Sequence, residues 1–233
     1  MTYRMLDAGA ILETCERLSA RIGERFPESG LSKVGRELLD VSRETERTIA
    51  DLRKPHWPVR VAASAAVALM LAIVVAVFVV TPVPANKVEL FSLLQVAEAA
   101  INDVIFLGVA AFFLFTIENR LKRRKALRAL HQLRSLAHVI DMHQLTKDPE
   151  QLLSHDTTAS SPERALSRFE LARYLDYCSE MLSIVSKNAA LYLQYLDDGL
   201  VMEAAGDIQG LTSALSSKIW QKIMIIDGVG NRD

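Results

Sequence analysis

The sequence predicts an all-α membrane protein, a two-helix transmembrane hairpin joined to cytoplasmic helical-bundle, coiled-coil-like regions. Three observations predict it. Val61 to Val80 contains no charged residue. At about 1.5 Å per residue this run reaches roughly 30 Å, the thickness of the hydrocarbon layer. A second uncharged run covers Val104 to Ile117. Elsewhere apolar residues recur at spacings of three and four, the helical period, and nowhere alternate as in a half-buried strand.

Residues 1–54 read as a cytoplasmic helical pair. Ala8, Ile11, Cys15, Leu18 and Ile22 form one helical stripe,. Pro27-Glu28-Ser29-Gly30 supplies a turn,. The next stripe is Leu31, Val34, Leu38, Val41, Thr45, Thr48 and Leu52, closed by Pro55 and Pro58. Charges are scattered through Met1 to Phe26 with no continuous apolar stretch, which excludes a secretory signal,.

Residues 55–117 read as the hairpin, with spans at about 60–80 and 98–117 and an outer loop at 81–97. Trp57 suits the headgroup level at the start of the first span, and Pro82 and Pro84 end it,. The second uncharged run, at about fourteen residues, covers only about 21 Å. An earlier start draws Glu98, Asn102 and Asp103 to the membrane boundary, with Gln95 on the same helical face as Glu98 and Asn102. Polar groups are costly against lipid, so these four form a candidate polar membrane face. In an oligomer they would line the mouth of a cation pore. Alternatively the span begins near Ile101, and Val88 to Ala97 lies along the interface as an amphipathic helix. Small residues at Ser64, Ala68, Ala72 and Ala76, and at Gly108 and Ala111, predict the packing seam of the two spans,.

Orientation follows from basic residues near the span ends. Arg53, Lys54 and Arg60 precede the first span. Arg120, Lys122, Arg123, Arg124, Lys125 and Arg128 follow the second, whereas the outer loop holds only Lys87. Both termini are therefore expected in the cytoplasm, with the chain in a bacterial inner membrane. Arg120, Lys122, Arg123, Arg124 and Lys125 are candidate contacts for anionic lipid headgroups.

Residues 118–233 read as a second cytoplasmic helical region. The second span is expected to run on through about Leu145, with Ala126, Leu130, Leu133, Ala137 and Ile140 on its stripe. A loop at 146–162 follows. A new helix is expected from Pro162, capped by Ser161. Its stripe is Leu171, Leu175, Cys178, Leu182, Val185, Ala189, Tyr192 and Leu196, a coiled-coil-like seam,. Asp197-Asp198-Gly199 interrupts it. A last helix or pair covers roughly Val201 to Ile226, with Leu211, Leu215, Ile219, Ile223 and Ile226 inward and Trp220 and Met224 widening that face. Gly199, Gly206 and Gly210 read as helix breaks.

A formal net charge of −1 gives no electrostatic reason to expect a nucleic-acid partner,. Cys15 and Cys178 fall on apolar stripes in a reducing compartment and read as buried thiols. His131, His138 and Asp141 share a helical face, with His155 nearby in sequence, and form a weak metal candidate; His143 lies round the helix from them. No glycine-rich phosphate loop, serine elbow or zinc-spaced cysteine pair is present,. The sequence therefore predicts a non-enzymatic protein without a cofactor or resident metal. It is expected to self-associate as a homo-oligomer and to serve as scaffold, sensor or effector. The alternatives are a cation-conducting pore or transport subunit and a metal-dependent enzyme at the membrane face.

Overall fold

A computed structural model describes residues 5–54, 57–80, 90–147, 149 and 166–230. Among these residues every regular element is helical: α1 (Ala8–Arg25), α2 (Gly30–Leu52), α3 (Trp57–Val80), α4 (Leu90–Leu145), α5 (Arg168–Tyr195) and α6 (Gly199–Gly230). The chain forms two compact units. Unit 1 comprises Met1–Arg53 and Arg123–Asp233, and unit 2 comprises Lys54–Lys122. The N-terminal pair and the C-terminal helices thus share one body.

Local chemistry sets the helix ends in unit 1. The Asp7 carboxylate accepts hydrogen bonds from the Gly9 and Ala10 amides and caps α1,. Pro27 follows the end of α1. Glu28 adopts φ 56° in the turn, and the Ser29 hydroxyl accepts from the Ser32 amide at 3.1 Å to start α2. α5 begins at Arg168, later than the sequence suggested, because Ser167 and Glu170 form a reciprocal capping box,. The expected cap at Ser161 and helix start at Pro162 lie outside the described residues. Asp198 caps α6 by accepting from the Leu200 and Val201 amides at 3.1 and 3.3 Å.

α5 is the axis of unit 1. Thirteen of its 28 residues are buried, against four of 18 in α1. α1 runs antiparallel to it, as the Arg21–Glu180 ion pair and the Phe26–Tyr174 ring contact show. α2 runs parallel to it, with Ser42 opposite Asn188. α6 folds back antiparallel, so that the Arg168 guanidinium donates to the Ile226 carbonyl and to the Asp227 carbonyl near the end of α6. The last turns of α4 lie parallel to α6. This direction is marked by Arg123–Asp198 at 3.3 Å, Arg134–Asp207 at 3.7 Å and Lys222 Nζ donating to the Gln144 carbonyl at 3.0 Å.

The expected stripes of α1, α4 and α5 bury inside this single chain: Ile11 to Ile22, Ala126 to Ile140 and Leu171 to Tyr192 form one hydrophobic core. They therefore need no second copy for their burial.

Two stripes differ from expectation. On α2 the buried line runs through Ser42 and Ile49, whereas Val41 and Thr48 are only half-buried. A hydroxyl at Ser42 is tolerated inside because it donates to the Leu38 carbonyl at 2.8 Å and accepts from Asn188 Nδ2 at 2.8 Å,. On α6 the buried line is Val201, Ala205, Ile208, Thr212, Leu215, Ile219 and Ile226, while Trp220 and Met224 face solvent at 63% and 55% exposure. Gly206 and Gly210 lie within this helix and do not break it. The buried line on either side of them supplies packing that outweighs the roughly 1 kcal/mol propensity cost of each glycine.

Unit 2 holds α3 and the first part of α4. Over its described stretch Ile101–Leu145, α4 is long and apolar enough to cross a membrane; the described apolar stretch of α3, Ser64–Ile73, is shorter than a span. α4 starts at Leu90 and continues without a break through Ala97 and Ile101, so among the described residues no separate interfacial helix precedes Ile101, and the first part of the anticipated interfacial segment, residues 88–89, lies outside them. No proline interrupts residues 90–145. Ser64, Ala68, Ala72, Ala76, Gly108 and Ala111 are all exposed. Among the described side chains the partly covered positions instead include Val67 and Met70 on α3 and Asp103, Leu107, Ala110, Thr116 and Ile117 on α4. Larger side chains make more contacts per residue, and most of the covered positions carry them.

Candidate functional site

The polar face anticipated around Glu98 sits wholly within α4. Glu98 and Asn102 are exposed and Asp103 is half-covered. Gln95 belongs to the same helix, but its side chain lies outside the described ones. Toward the other end of the uncharged run, Glu118 is buried at 6% exposure and pairs with Lys122 at 3.0 Å. Sequence reading missed this pair, although the i, i+4 spacing of opposite charges was available as a signal.

That pair also divides the expected headgroup cluster. Lys122 is engaged with Glu118, Arg123 pairs with Asp198 at 3.3 Å, and Lys125 approaches Asp51 at 3.8 Å. Arg120, Arg124 and Arg128 are exposed and carry no carboxylate partner among the described residues. Their spacing of four places them on one face of α4. Thus the cluster combines residues that hold the fold with residues that leave their charge to solvent.

The histidine region does not converge. His131 and His138 are exposed, and among the described residues no group of three metal-ligating side chains can hold an ion. Asp141 accepts from Gln144 Nε2 at 2.6 Å. His143 packs its ring against the Cα of Gly30, at the first position of α2. His155 lies outside the described residues.

A groove of about 900 Å³ lies beside the start of α1 in unit 1. Ile11, Leu18, Ile49 and Ile184 contribute apolar walls, and Glu46 and Lys187 bring both signs of charge. At its edge the Gln194 side-chain amide clamps Leu6, accepting from its N–H at 2.8 Å and donating to its carbonyl at 3.2 Å. The volume falls in the range of small-molecule sites. Within it the Lys187 ammonium donates to the Ser183 hydroxyl.

The remaining polar cluster is internal. Cys15 Sγ lies 3.6 Å from the Ser42 hydroxyl, which Asn188 also holds. Burial pushes the Cys15 thiol up, partly offset by the Ser42 hydroxyl. The Cys178 thiol is pushed up to about 12 by desolvation,. Both are therefore poor nucleophiles near neutral pH. The Tyr192 hydroxyl is buried close to the hydroxyls of Thr45 and Thr48, near enough to feel them but outside hydrogen-bonding geometry. These groups specify how α1, α2 and α5 fit together, and they share no open surface with a substrate.

Comparison with known proteins gives no match: no family model, curated sequence or solved structure aligns with the chain.

Proposed function

We propose that the chain is a non-enzymatic, membrane-anchored helical protein that self-associates and works as a scaffold, sensor or effector. Its hairpin sits in a bacterial inner membrane with the outer loop 81–97 outside, and its helical body lies in the cytoplasm. The observation that carries this reading is the composition of α4. One helix, Leu90–Leu145, includes both the uncharged run Val104–Ile117 and the core stripe Ala126–Ile140. A chain built this way ties a bilayer segment to a water-soluble core through continuous backbone hydrogen bonds. The excess of exposed arginine at Arg120, Arg124 and Arg128 favours an anionic, cytoplasmic leaflet.

A second reading rests on Glu98 and Asn102, which are exposed on a helix long enough to span. In a ring of copies these side chains would line a cation-conducting mouth, with Gln95 and Asp103 beside them.

Native mass spectrometry of the full chain in lipid nanodiscs tests both. The scaffold reading expects a small oligomer of two or three copies retaining anionic lipid. A closed ring of about four or more copies would transfer support to the pore. A strict monomer over a wide protein concentration range would contradict self-association.

A further inference from the structure

We infer that one edge of α6 is a self-docking seam, on which α6 of a second copy packs parallel and in register about a twofold axis along the membrane normal. The inference rests on the self-association proposed above and names its surface.

The seam is Met202, Gly206, Gln209, Ser213 and Trp220, with the half-covered Ser216 between the last two. Spacings of four and three set these residues on one side of the helix. They adjoin the buried line from Val201 to Ile226, yet unit 1 leaves Met202 57% and Trp220 63% exposed. Gly206, Gln209 and Ser213 are exposed between them, and a Cβ added at Gly206 would meet nothing within 4 Å. Methionine and tryptophan are enriched where protein surfaces meet, and tryptophan is a frequent anchor. The small residues between them let a second backbone approach.

A shared bilayer decides how a second copy can use this seam. α4 is one helix from the uncharged run to the core stripe. α6 runs parallel to its last turns, as the contacts of Arg134 with Asp207 and of Lys222 with Gln144 mark. Copies inserted the same way therefore carry α6 in the same direction. Only a twofold axis along the membrane normal exchanges two such copies, so a closed contact sets each residue near the axis against its own counterpart. A charged residue there meets its like, which is repulsive. This condition sorts the surface of unit 1. Exposed charges stand on α1 at Arg17, on α2 at Arg47, on α4 at Arg128 and on α5 at Lys187. The α6 seam carries none from Met202 to Trp220, because Glu203, Asp207 and Lys218 lie round the helix from it,. An uncharged strip with a large exposed apolar side chain at each end meets the condition that those faces fail, and such exposure is a mark of an interface.

The test uses the full chain in liposomes. Energy transfer between donor- and acceptor-tagged chains, over a range of lipid dilutions, measures the dimer constant of wild type, Trp220→Ala, Ser213→Glu and Ser213→Lys, and of the two Ser213 variants mixed. The altered side chains are exposed, so circular dichroism should report an unchanged fold. Each single variant is expected to weaken the dimer at least about tenfold. The mixture of Ser213→Glu with Ser213→Lys should restore it to within about threefold of wild type, since position 213 meets itself across the axis. In membranes isolated from the producing cells, where insertion has one direction, oxidation should cross-link Ser213→Cys to its own kind and leave Lys218→Cys uncoupled. Cys15 and Cys178 are buried and should stay silent. If wild type dimerises and the Ser213 and Trp220 variants match it, the α6 seam is wrong while self-association stands. Cross-linking of Lys218→Cys with Ser213→Cys silent would overturn the seam as well. A wild type that stays monomeric would overturn both.

Discussion

Gly30 and His143 meet where the start of α2 passes the end of α4, and their contact shows how closely unit 1 is fitted. A Cβ added at Gly30 would collide with Cε1 of the imidazole and lie 3.1 Å from Nδ1. Without that neighbour, alanine at the first turn of a helix would be neutral or stabilising by up to about 1 kcal/mol, because it restricts the unfolded chain. With it, the half-buried imidazole must swing aside, so Gly30→Ala should forfeit that gain,. In the His143→Ala background the same change should recover it, a coupling of up to about 1 kcal/mol in a denaturant double-mutant cycle. An additive cycle would remove the contact from the account. At this scale the sequence was a partial guide. Cys15 and Cys178 were legible as core thiols because they fall on apolar stripes. Ser42 and Asn188 were not, because a serine or asparagine is admitted to a core only when a partner on another helix meets it. The partner here stands 146 positions away in the chain. The value of Gly30 was equally hidden, since nothing in its own segment names His143.

Elements were legible wherever a stripe met a strong stop. Pro27-Glu28-Ser29-Gly30 placed the α1–α2 turn, and the four-three spacing from Leu171 to Tyr192 placed α5 in the core. The start of α5 was misjudged although its signal was written in the chain: Ser167-Arg168-Phe169-Glu170 is a capping box ahead of an apolar run,. The Glu170 carboxyl is held below its ordinary range, first by the Ser167 hydroxyl and then by the Ser167 amide. The sign of the consequence follows from linkage. A carboxylate whose folded pKa is depressed adds stability above its unfolded pKa of about 4.5, and that stability is lost as pH falls through the folded value. The gap in melting temperature between wild type and Glu170→Ala should therefore be widest near neutral pH and narrow between about pH 5 and pH 3. A gap that does not change with pH would assign the cap to packing alone. α6 shows the converse difficulty. Glycines at 206 and 210 read as breaks, and Trp220 and Met224 read as core. Both readings failed because propensity and hydrophobicity do not say which side of a helix its neighbours cover.

For the whole molecule, all-helical architecture could be read directly from charge and periodicity. The way unit 1 closes could not. Helical stripes identify buried faces without naming their mates, and here residues 5–53 and 123–230 supply mates to each other across an intervening segment of about seventy residues. The candidate sites divided the same way. The exposed arginines of α4 were visible as a run, but only the structure separates Arg120, Arg124 and Arg128 from Lys122, Arg123 and Lys125, which meet carboxylates.

The central claim is that α3 and α4 form a hairpin across one bilayer, with the body and both termini on one side. It is tested most directly by labelling single cysteines with a membrane-impermeant maleimide in sealed inside-out vesicles. Cys15 and Cys178 are both buried at 1% exposure or less, and their thiols are shifted upward, so both should stay silent in the native protein. The account predicts that Ser217→Cys on α6 labels at once, while Lys87→Cys in the outer loop labels only after the vesicles are opened. Labelling of both positions in sealed vesicles would contradict the hairpin.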